Sequence, residues 1–134
     1  MKSIIVPLVA LLMIACSREQ SIGPCGESFC LPSDAQLLGK RTPVEDFNLY
    51  QVAWRGAQFS IYEGNHPQGK DDVGGSVVGL PGNRAGTLRV HDGQASIIFD
   101  TQNTWPAYLD VMGPCKSTED CPVKSLAREI TFRT

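Results

Sequence analysis

Two stretches of the chain alternate apolar and polar residues with a period of two, and a dipeptide that suits a tight turn interrupts each. In residues 48–62, folding about Arg55-Gly56 places one apolar set on a single face: Tyr50, Val52, Trp54, Ala57, Phe59 and Ile61. The polar residues fall on the opposite face, where Tyr62 joins Ser60. This pattern predicts an antiparallel hairpin with one buried face and one exposed face.

The second hairpin is predicted around Asp92-Gly93, the dipeptide preferred in type I′ turns. Folding about it gives an apolar face made of Leu88, Val90, Ala95, Ile97 and Phe99. His91 falls on the polar face. Because two such ribbons can cover each other's apolar faces, we predict an all-β fold: a small antiparallel sandwich or barrel of hairpins, with about six to eight short strands.

The remaining segments carry weaker patterns. Residues 63–86 contain seven glycines and two prolines, which predicts a long surface loop with one short strand at 76–78. Residues 35–40 fit a short strand or a helical turn, and residues 107–112 fit a strand. In residues 125–133 the apolar residues alternate near the end, which favours a closing strand over a helix.

The first sixteen residues follow a different pattern. Lys2 supplies a positive charge, residues 4–14 are apolar, and the small residue Ala15 precedes Cys16. This order resembles the lipobox of bacterial lipoproteins, in which the signal peptide is removed before the cysteine and the cysteine is acylated. The resemblance implies a signal peptide at 1–15 and lipidation of Cys16.

An ordinary secretory signal and an uncleaved membrane helix are the alternatives for this segment. The apolar run is shorter than the roughly 20 residues that cross a bilayer, which disfavours the helix. Ser17 follows the cysteine, where lipoproteins retained in the inner membrane usually carry Asp. The resemblance therefore implies an outer-membrane anchor that faces the periplasm. Residues 16–24 would form the lipidated cysteine and its tether, and residues 25–134 a single β domain.

Composition narrows the class of partner. Removal of residues 1–15 leaves 134 − 15 = 119 residues and takes away Lys2, so 11 basic residues remain against 14 acidic ones. The balance is weakly acidic, and no basic stripe could follow a phosphate backbone, so no nucleic acid partner is expected. The expected contacts are a membrane, through the lipid anchor, and an envelope protein.

With Cys16 acylated, four cysteines remain: Cys25, Cys30, Cys115 and Cys121. An even number of cysteines in an exported domain predicts two disulfides, with three possible connectivities. The spacing favours the two local pairs, Cys25–Cys30 and Cys115–Cys121, whereas crossed pairs would tie the two ends of the domain together. Four thiolates binding zinc is the least favoured alternative, because no pair has the C-x-x-C spacing.

Neither histidine has the neighbours that catalysis or metal binding requires. His66 precedes Asp71 and Asp72 in a Gly-rich segment that fixes no ligand spacing, so a solvated loop is favoured over a metal site. His91 has Ser96 as its neighbour across the turn, but the Gly-x-Ser-x-Gly elbow is absent. A surface histidine is therefore favoured there.

Asp100 and Asp110 could form a catalytic carboxylate pair, but the sequence does not set their separation. We therefore predict no catalytic residue, no metal and no cofactor. The expected function is that of a binding module, either an inhibitor or immunity protein or an envelope accessory protein, with a small hydrolase or a purely structural lipoprotein as the alternatives. The predicted contact surface is the 63–86 loop with Tyr62, His66, Asp71, Asp72 and His91.

Overall fold

A computed structural model describes residues 22–43, 46–69, 74–80 and 82–133. Cys16, the signal-like segment, Asp71 and Asp72 lie outside these residues. The described chain forms ten strands and one helix, in the order β1 Ile22–Cys25, β2 Phe29–Pro32, β3 Gln36–Arg41, β4 Phe47–Trp54, β5 Ala57–Gly64, β6 Ser76–Leu80, β7 Arg84–His91, β8 Gln94–Asp100, β9 Tyr108–Pro114, α1 Pro122–Glu129 and β10 Thr131–Phe132. β1 thus includes the last three residues of the segment that we predicted to be the tether.

The first predicted hairpin is confirmed in position and register. Trp54 lies opposite Ala57, and the pairing continues along the whole length of β4 and β5. Arg55 and Gly56 both have positive φ, 48° and 78°, as a type I′ turn requires. The predicted apolar face is the buried one, with Val52 and other members almost completely inaccessible.

The second hairpin is confirmed as well. β7 and β8 pair about Asp92-Gly93, with Leu88 opposite Ile97. Both turn residues have positive φ, 49° and 76°. Most of the predicted apolar face is buried, but Val90, which lies next to the turn, remains half-exposed.

The strands form two antiparallel sheets that pack together, as predicted for an all-β sandwich. The larger sheet has seven strands in the order β3-β4-β5-β9-β8-β7-β6, and the smaller has the order β1-β2-β10. Apolar side chains from one face of the large sheet, from the small sheet and from α1 form a single core. We call this face of the large sheet the inner face and the opposite one the outer face.

The prediction of a closing strand over residues 125–133 is wrong for most of that segment. The chain there forms α1, and only Thr131 and Phe132 pair as a strand, with β2. The spacing of the buried residues Val123, Leu126 and Ala127 explains the helix, because i, i+3 and i+4 fall on one helical face. The alternation of apolar residues belongs only to the short strand that follows the helix.

The prediction for residues 63–86 is confirmed for the short strand at 76–78, which lies within β6, and is wrong for the long loop on either side of it. β5 continues to Gly64, and β6 pairs with β7 along its full length, so two connections remain, residues 65–75 and 81–83. β5 lies inside the large sheet and β6 at its edge, with β9, β8 and β7 between them in the strand order. The described parts of this connection lie against the outer face, where Arg89 Nε donates to the Gly74 carbonyl at 3.0 Å.

Both disulfides have the predicted local connectivity. Cys25–Cys30 joins residues that face each other across β1 and β2. Cys115–Cys121 joins the end of β9 to the start of α1, and both of its cysteines are buried in the core. Within the described ranges, no helix has the length and apolar character needed to cross a membrane.

Candidate functional site

The strand register brings apolar and acidic side chains together on the outer face. Leu49 pairs with Tyr62, Tyr62 with Asp110, and Asp110 with Ile98, so these four residues form a row across β4, β5, β9 and β8. Alternation puts all four on the face away from the core. Asp110 and Ile98 are nevertheless buried. The middle of the outer face is therefore partly shielded from solvent, and Asp110 is among the shielded residues.

A groove of about 440 Å³ opens on this face. We call it the outer groove; it is lined by Asp46, Phe47, Leu49, Tyr62, His66, Gln68, Asp110 and Met112. Phe47, Leu49 and Met112 supply an apolar surface, and the rings of Phe47 and Tyr62 lie 5.3 Å apart. Such a mixture, apolar walls with a few polar groups, is typical of sites that bind a ligand or a partner's side chain.

Hydrogen bonds fix the start of the 65–75 connection over the groove. The His66 backbone N–H donates to Tyr62 Oη at 2.9 Å, and the Ala107 N–H donates to Asn65 Oδ1 at 3.0 Å. Gly64 allows this packing, because a Cβ there would lie 2.6 Å from Tyr62 Oη and 2.8 Å from Phe47 Cβ. Burial raises the pKa of Tyr62, so its phenol stays protonated.

Asp110 is the most perturbed group in the groove. It lies in the middle of β9 with 3% of its surface exposed, and Ser96 Oγ donates to its carboxylate at 2.5 Å. Burial raises the pKa of Asp110 to about 6, and the Ser96 hydrogen bond and the positive charge of Arg89 offset only part of that effect. At neutral pH the Asp110 side chain is therefore mostly ionised, although its buried surroundings disfavour the charged form.

The structure brings two of the predicted contact residues together and separates a third from them. Tyr62 and His66 both line the outer groove, although Tyr62 is half-buried on an interior strand rather than exposed at an edge. His91 lies beside the β7–β8 turn with its side chain 93% exposed, next to an equally exposed Asp92. It does not contribute to the groove, and an ion pair in that setting adds little because solvent screens it.

The nucleophile–base pair of Ser96 and His91 considered from the sequence is not formed. Ser96 lies opposite Arg89 and donates to Asp110, so it does not serve as a nucleophile for His91. Asp100 accepts a hydrogen bond from the Gln102 N–H in an exposed turn. Within the described part of the chain, no group of three or more His, Cys, Asp or Glu side chains is arranged to hold a metal ion.

A second buried carboxylate, Glu63, lies on the inner face. It accepts hydrogen bonds from five donors: the backbone N–H groups of Glu27 and Ser28, Ser28 Oγ, Asn48 Nδ2 and Tyr50 Oη. Burial raises the pKa of Glu63, but these hydrogen bonds outweigh it and hold the pKa below its usual 4.5. The network fastens the β1–β2 turn to the large sheet, so Glu63 has a structural role.

Sequence reasoning does not select the acidic and apolar members of the groove. Phe47, Leu49 and Met112 look like ordinary strand residues, and Asp110 stands out only as a partner of Asp100. One signal could have found Asp110: it stands between Leu109 and Val111 in an apolar strand, where a charge needs an explanation.

The fold and the groove define a class of protein: a small, disulfide-bonded, two-sheet β domain with an apolar groove that contains a buried carboxylate. No protein-family model matches the chain, and neither a curated protein nor a solved structure matches it significantly. The interpretation of the site therefore rests on its own chemistry.

Proposed function

We propose that this protein is a lipid-anchored binding module of the bacterial envelope, which holds a protein partner in the outer groove. The lipobox-like order at residues 12–16 supports the anchor. Two disulfides in so small a domain support an oxidising compartment such as the periplasm, since thiols are kept reduced in the cytosol. An inhibitor or immunity protein and an envelope accessory protein would both act through such a contact.

The observation that carries the proposal is the outer groove itself. Its apolar walls suit a large apolar side chain, and its two carboxylates, Asp46 and Asp110, suit a neighbouring cation. The described residues that line it include no Lys or Arg. We therefore expect the partner to present an exposed segment in which an apolar residue stands next to Lys or Arg.

Peptide selection tests this recognition directly. A random peptide library is panned against the detergent-solubilised protein, and the selected peptides are measured by fluorescence polarisation. We expect enrichment of apolar residues adjacent to Lys or Arg. Leu49→Lys should abolish binding by placing a cation in the groove, whereas Ala53→Lys, on the same strand and face but outside the groove, should bind as the unmodified protein does. Equal loss in both variants, or no enriched motif, would contradict the proposal.

The pH dependence of peptide binding tests whether Asp110 is the carboxylate that contacts the cation. A cationic peptide favours ionised Asp110, so its affinity should rise as the pH passes through about 6 and level off above it. The charged or titratable groups around Asp110 include Arg89 on β7, Tyr62 on β5, Asp100 on β8 and Tyr108 on β9, with Asp46 and His66 at the groove. Asp110→Asn should remove the rise, whereas His66→Gln should retain it. A rise that disappears in His66→Gln would assign the effect to the imidazole instead.

A small envelope hydrolase is the second candidate, and one observation favours it. A carboxyl group with a pKa of about 6 can act as a general acid or base near neutral pH, and the outer groove places Asp110 beside Tyr62. Turnover of cell-wall or ester substrates by the purified protein, lost in Asp110→Asn, would establish this function. Peptide binding without turnover would support the binding module.

The anchor is tested separately. The mature protein should partition into the detergent phase of a temperature-induced phase separation, because two or more acyl chains anchor a protein stably. Cys16→Ser should move the protein to the aqueous phase or leave it unprocessed. Aqueous partitioning of the unmodified protein would refute lipidation and leave the groove proposal standing.

A further inference from the structure

Exposed apolar side chains cluster where the described chain begins. Ile22 on β1 is 64% exposed, and Leu37 and Leu38 on β3 are 40% and 54% exposed. β1 contacts β3, so Ile22 and the two leucines lie on adjoining strands. Single exposed apolar residues need no explanation, but a contiguous group marks a contact site.

The shape of β3 argues against another strand as the occupant. β3 is an edge strand of the large sheet, and its register with β4 shifts between Leu37 and Gly39, which leaves Leu38 as the extra residue of a bulge. The strand also ends in Lys40 and Arg41. Bulges and lysines on an edge disfavour pairing with a further strand, including that of a second copy of this chain.

The charge of the same surface suits anionic lipid. β1 and β3 carry two basic residues and no acidic one. Lys40, whose Nζ lies 5.6 Å from the centre of the Tyr50 ring, is on the inner side of β3, and Arg41 is on the outer side, so the two flank the edge of the strand. The protein as a whole has a formal net charge of −2, so this local positive charge runs against the overall balance. Exposed apolar side chains with flanking basic residues are the composition of a surface that lies in the headgroup region of a membrane.

The length of chain before β1 sets how far this surface can lie from a membrane. Five residues lie between Cys16 and Ile22, which makes six Cα–Cα steps, and a fully extended chain spans at most about 3.6 Å per step, or roughly 20 Å in all. A lipid on Cys16 therefore keeps Ile22 within about 20 Å of the bilayer. The surface next to Ile22 is the part of the domain that this tether brings closest to lipid.

We propose that Ile22, Leu37, Leu38, Lys40 and Arg41 form a membrane-facing surface that rests on anionic phospholipid headgroups beside the lipid anchor. The inference depends on the lipidation of Cys16 proposed above. It orients the domain: β3 lies at the bilayer, and β6, the opposite edge of the large sheet, points away. With strands about 4.8 Å apart, the two edges are separated by about 29 Å along the sheet.

Tryptophan quenching by brominated phospholipids tests the orientation. The lipidated protein is reconstituted into vesicles that contain phosphatidylglycerol, with Leu38→Trp as the probe and Val77→Trp as the matched control. Val77 is 79% exposed on β6, so both substitutions place an indole on an exposed edge strand. After subtraction of the unmodified protein, which contains Trp54 and Trp105, the Leu38→Trp signal should be quenched at least twofold more than that of Val77→Trp.

Three outcomes would overturn the inference, and they differ from each other. Equal quenching at the two positions on floating vesicles would refute the orientation and leave the anchor standing. A blue-shifted Leu38→Trp spectrum without quenching, dependent on protein concentration, would show that a second copy covers β3. Failure of the unmodified protein to float with vesicles would refute lipidation itself, and this inference with it.

A charge reversal separates headgroup contact from mere proximity to the anchor. Lys40→Glu with Arg41→Glu, in the Leu38→Trp protein, should reduce quenching on phosphatidylglycerol vesicles and change it little on neutral phosphatidylcholine vesicles. The lipid on Cys16 is present in every sample, so the anchor alone predicts no such difference. Equal quenching on both vesicle types, with and without the reversal, would exclude recognition of anionic lipid.

Discussion

Replacing Asp110 with Asn removes a buried charge and nearly preserves the shape of the side chain. The new amide can still accept the hydrogen bond from Ser96 through its carbonyl oxygen. What disappears is the equilibrium between a neutral and an ionised carboxyl group. The variant therefore isolates the contribution of that ionisation to the free energy of unfolding.

The magnitude follows from the pKa. The folded-state pKa of Asp110 is raised from its ordinary 3.8 to about 6, and each pKa unit corresponds to about 1.36 kcal/mol. Because the raised value favours the neutral form, the associated stability is complete below about pH 4 and is lost as the pH rises through 6. The unmodified protein should therefore lose up to about 3 kcal/mol between pH 4 and pH 7.5 that Asp110→Asn does not lose.

Urea unfolding at several pH values between about 4 and 7.5, followed by tryptophan fluorescence, measures this difference. The stability of Asp110→Asn relative to the unmodified protein should increase up to about pH 6 and then level off. Any constant penalty for the new amide shifts all points equally and leaves the trend intact. A constant difference for Asp110→Asn at all pH values would refute the assignment of a raised pKa.

The structure supports two further predictions. Glu63→Gln replaces a carboxylate that accepts five hydrogen bonds by an amide with one acceptor oxygen, so urea unfolding at pH 7 should show a loss of about 2–4 kcal/mol. The unmodified protein loses stability below pH 4.5 because Glu63 becomes protonated there, and the variant should lose less over the same pH range. Replacing both cysteines of Cys25–Cys30 with Ala should lower the free energy of unfolding by about 2 kcal/mol. The same change at Cys115–Cys121 should cost more, because these cysteines are buried against α1. Equal losses in urea unfolding would contradict this difference.

Hairpins were the most predictable part of the fold because two independent signals agree in them. The alternation of apolar residues and the position of Arg55-Gly56 each require the same register, and Asp92-Gly93 does so for the second hairpin. The local disulfides followed from spacing alone. Each of these features depends on residues that are close together in the chain.

One local pattern was misread, and a feature that depends on distant residues was missed. The segment after Cys121 has helical spacing in Val123, Leu126 and Ala127, but the alternation at its end favoured a strand. The outer groove combines β4, β5, β9 and the connection that follows β5, and their adjacency depends on a strand order that the sequence does not reveal. Tyr62 was selected because it falls on the polar face of its hairpin next to the Gly-rich segment, and His66 because it lies in that segment.

The two buried carboxylates differ in a way that separates the structural role of Glu63 from the binding role proposed for Asp110. Five donors converge on Glu63, and its pKa is lowered, so folding itself satisfies that charge. Asp110 is equally buried but accepts from Ser96, and its pKa is raised to about 6. A carboxylate whose ionisation the fold disfavours still has acceptor capacity for a donor from outside. A cationic side chain that enters the outer groove would supply that donor. The ionised Asp110 carboxylate, which lowers the stability of the free protein, would then be stabilised by the bound partner.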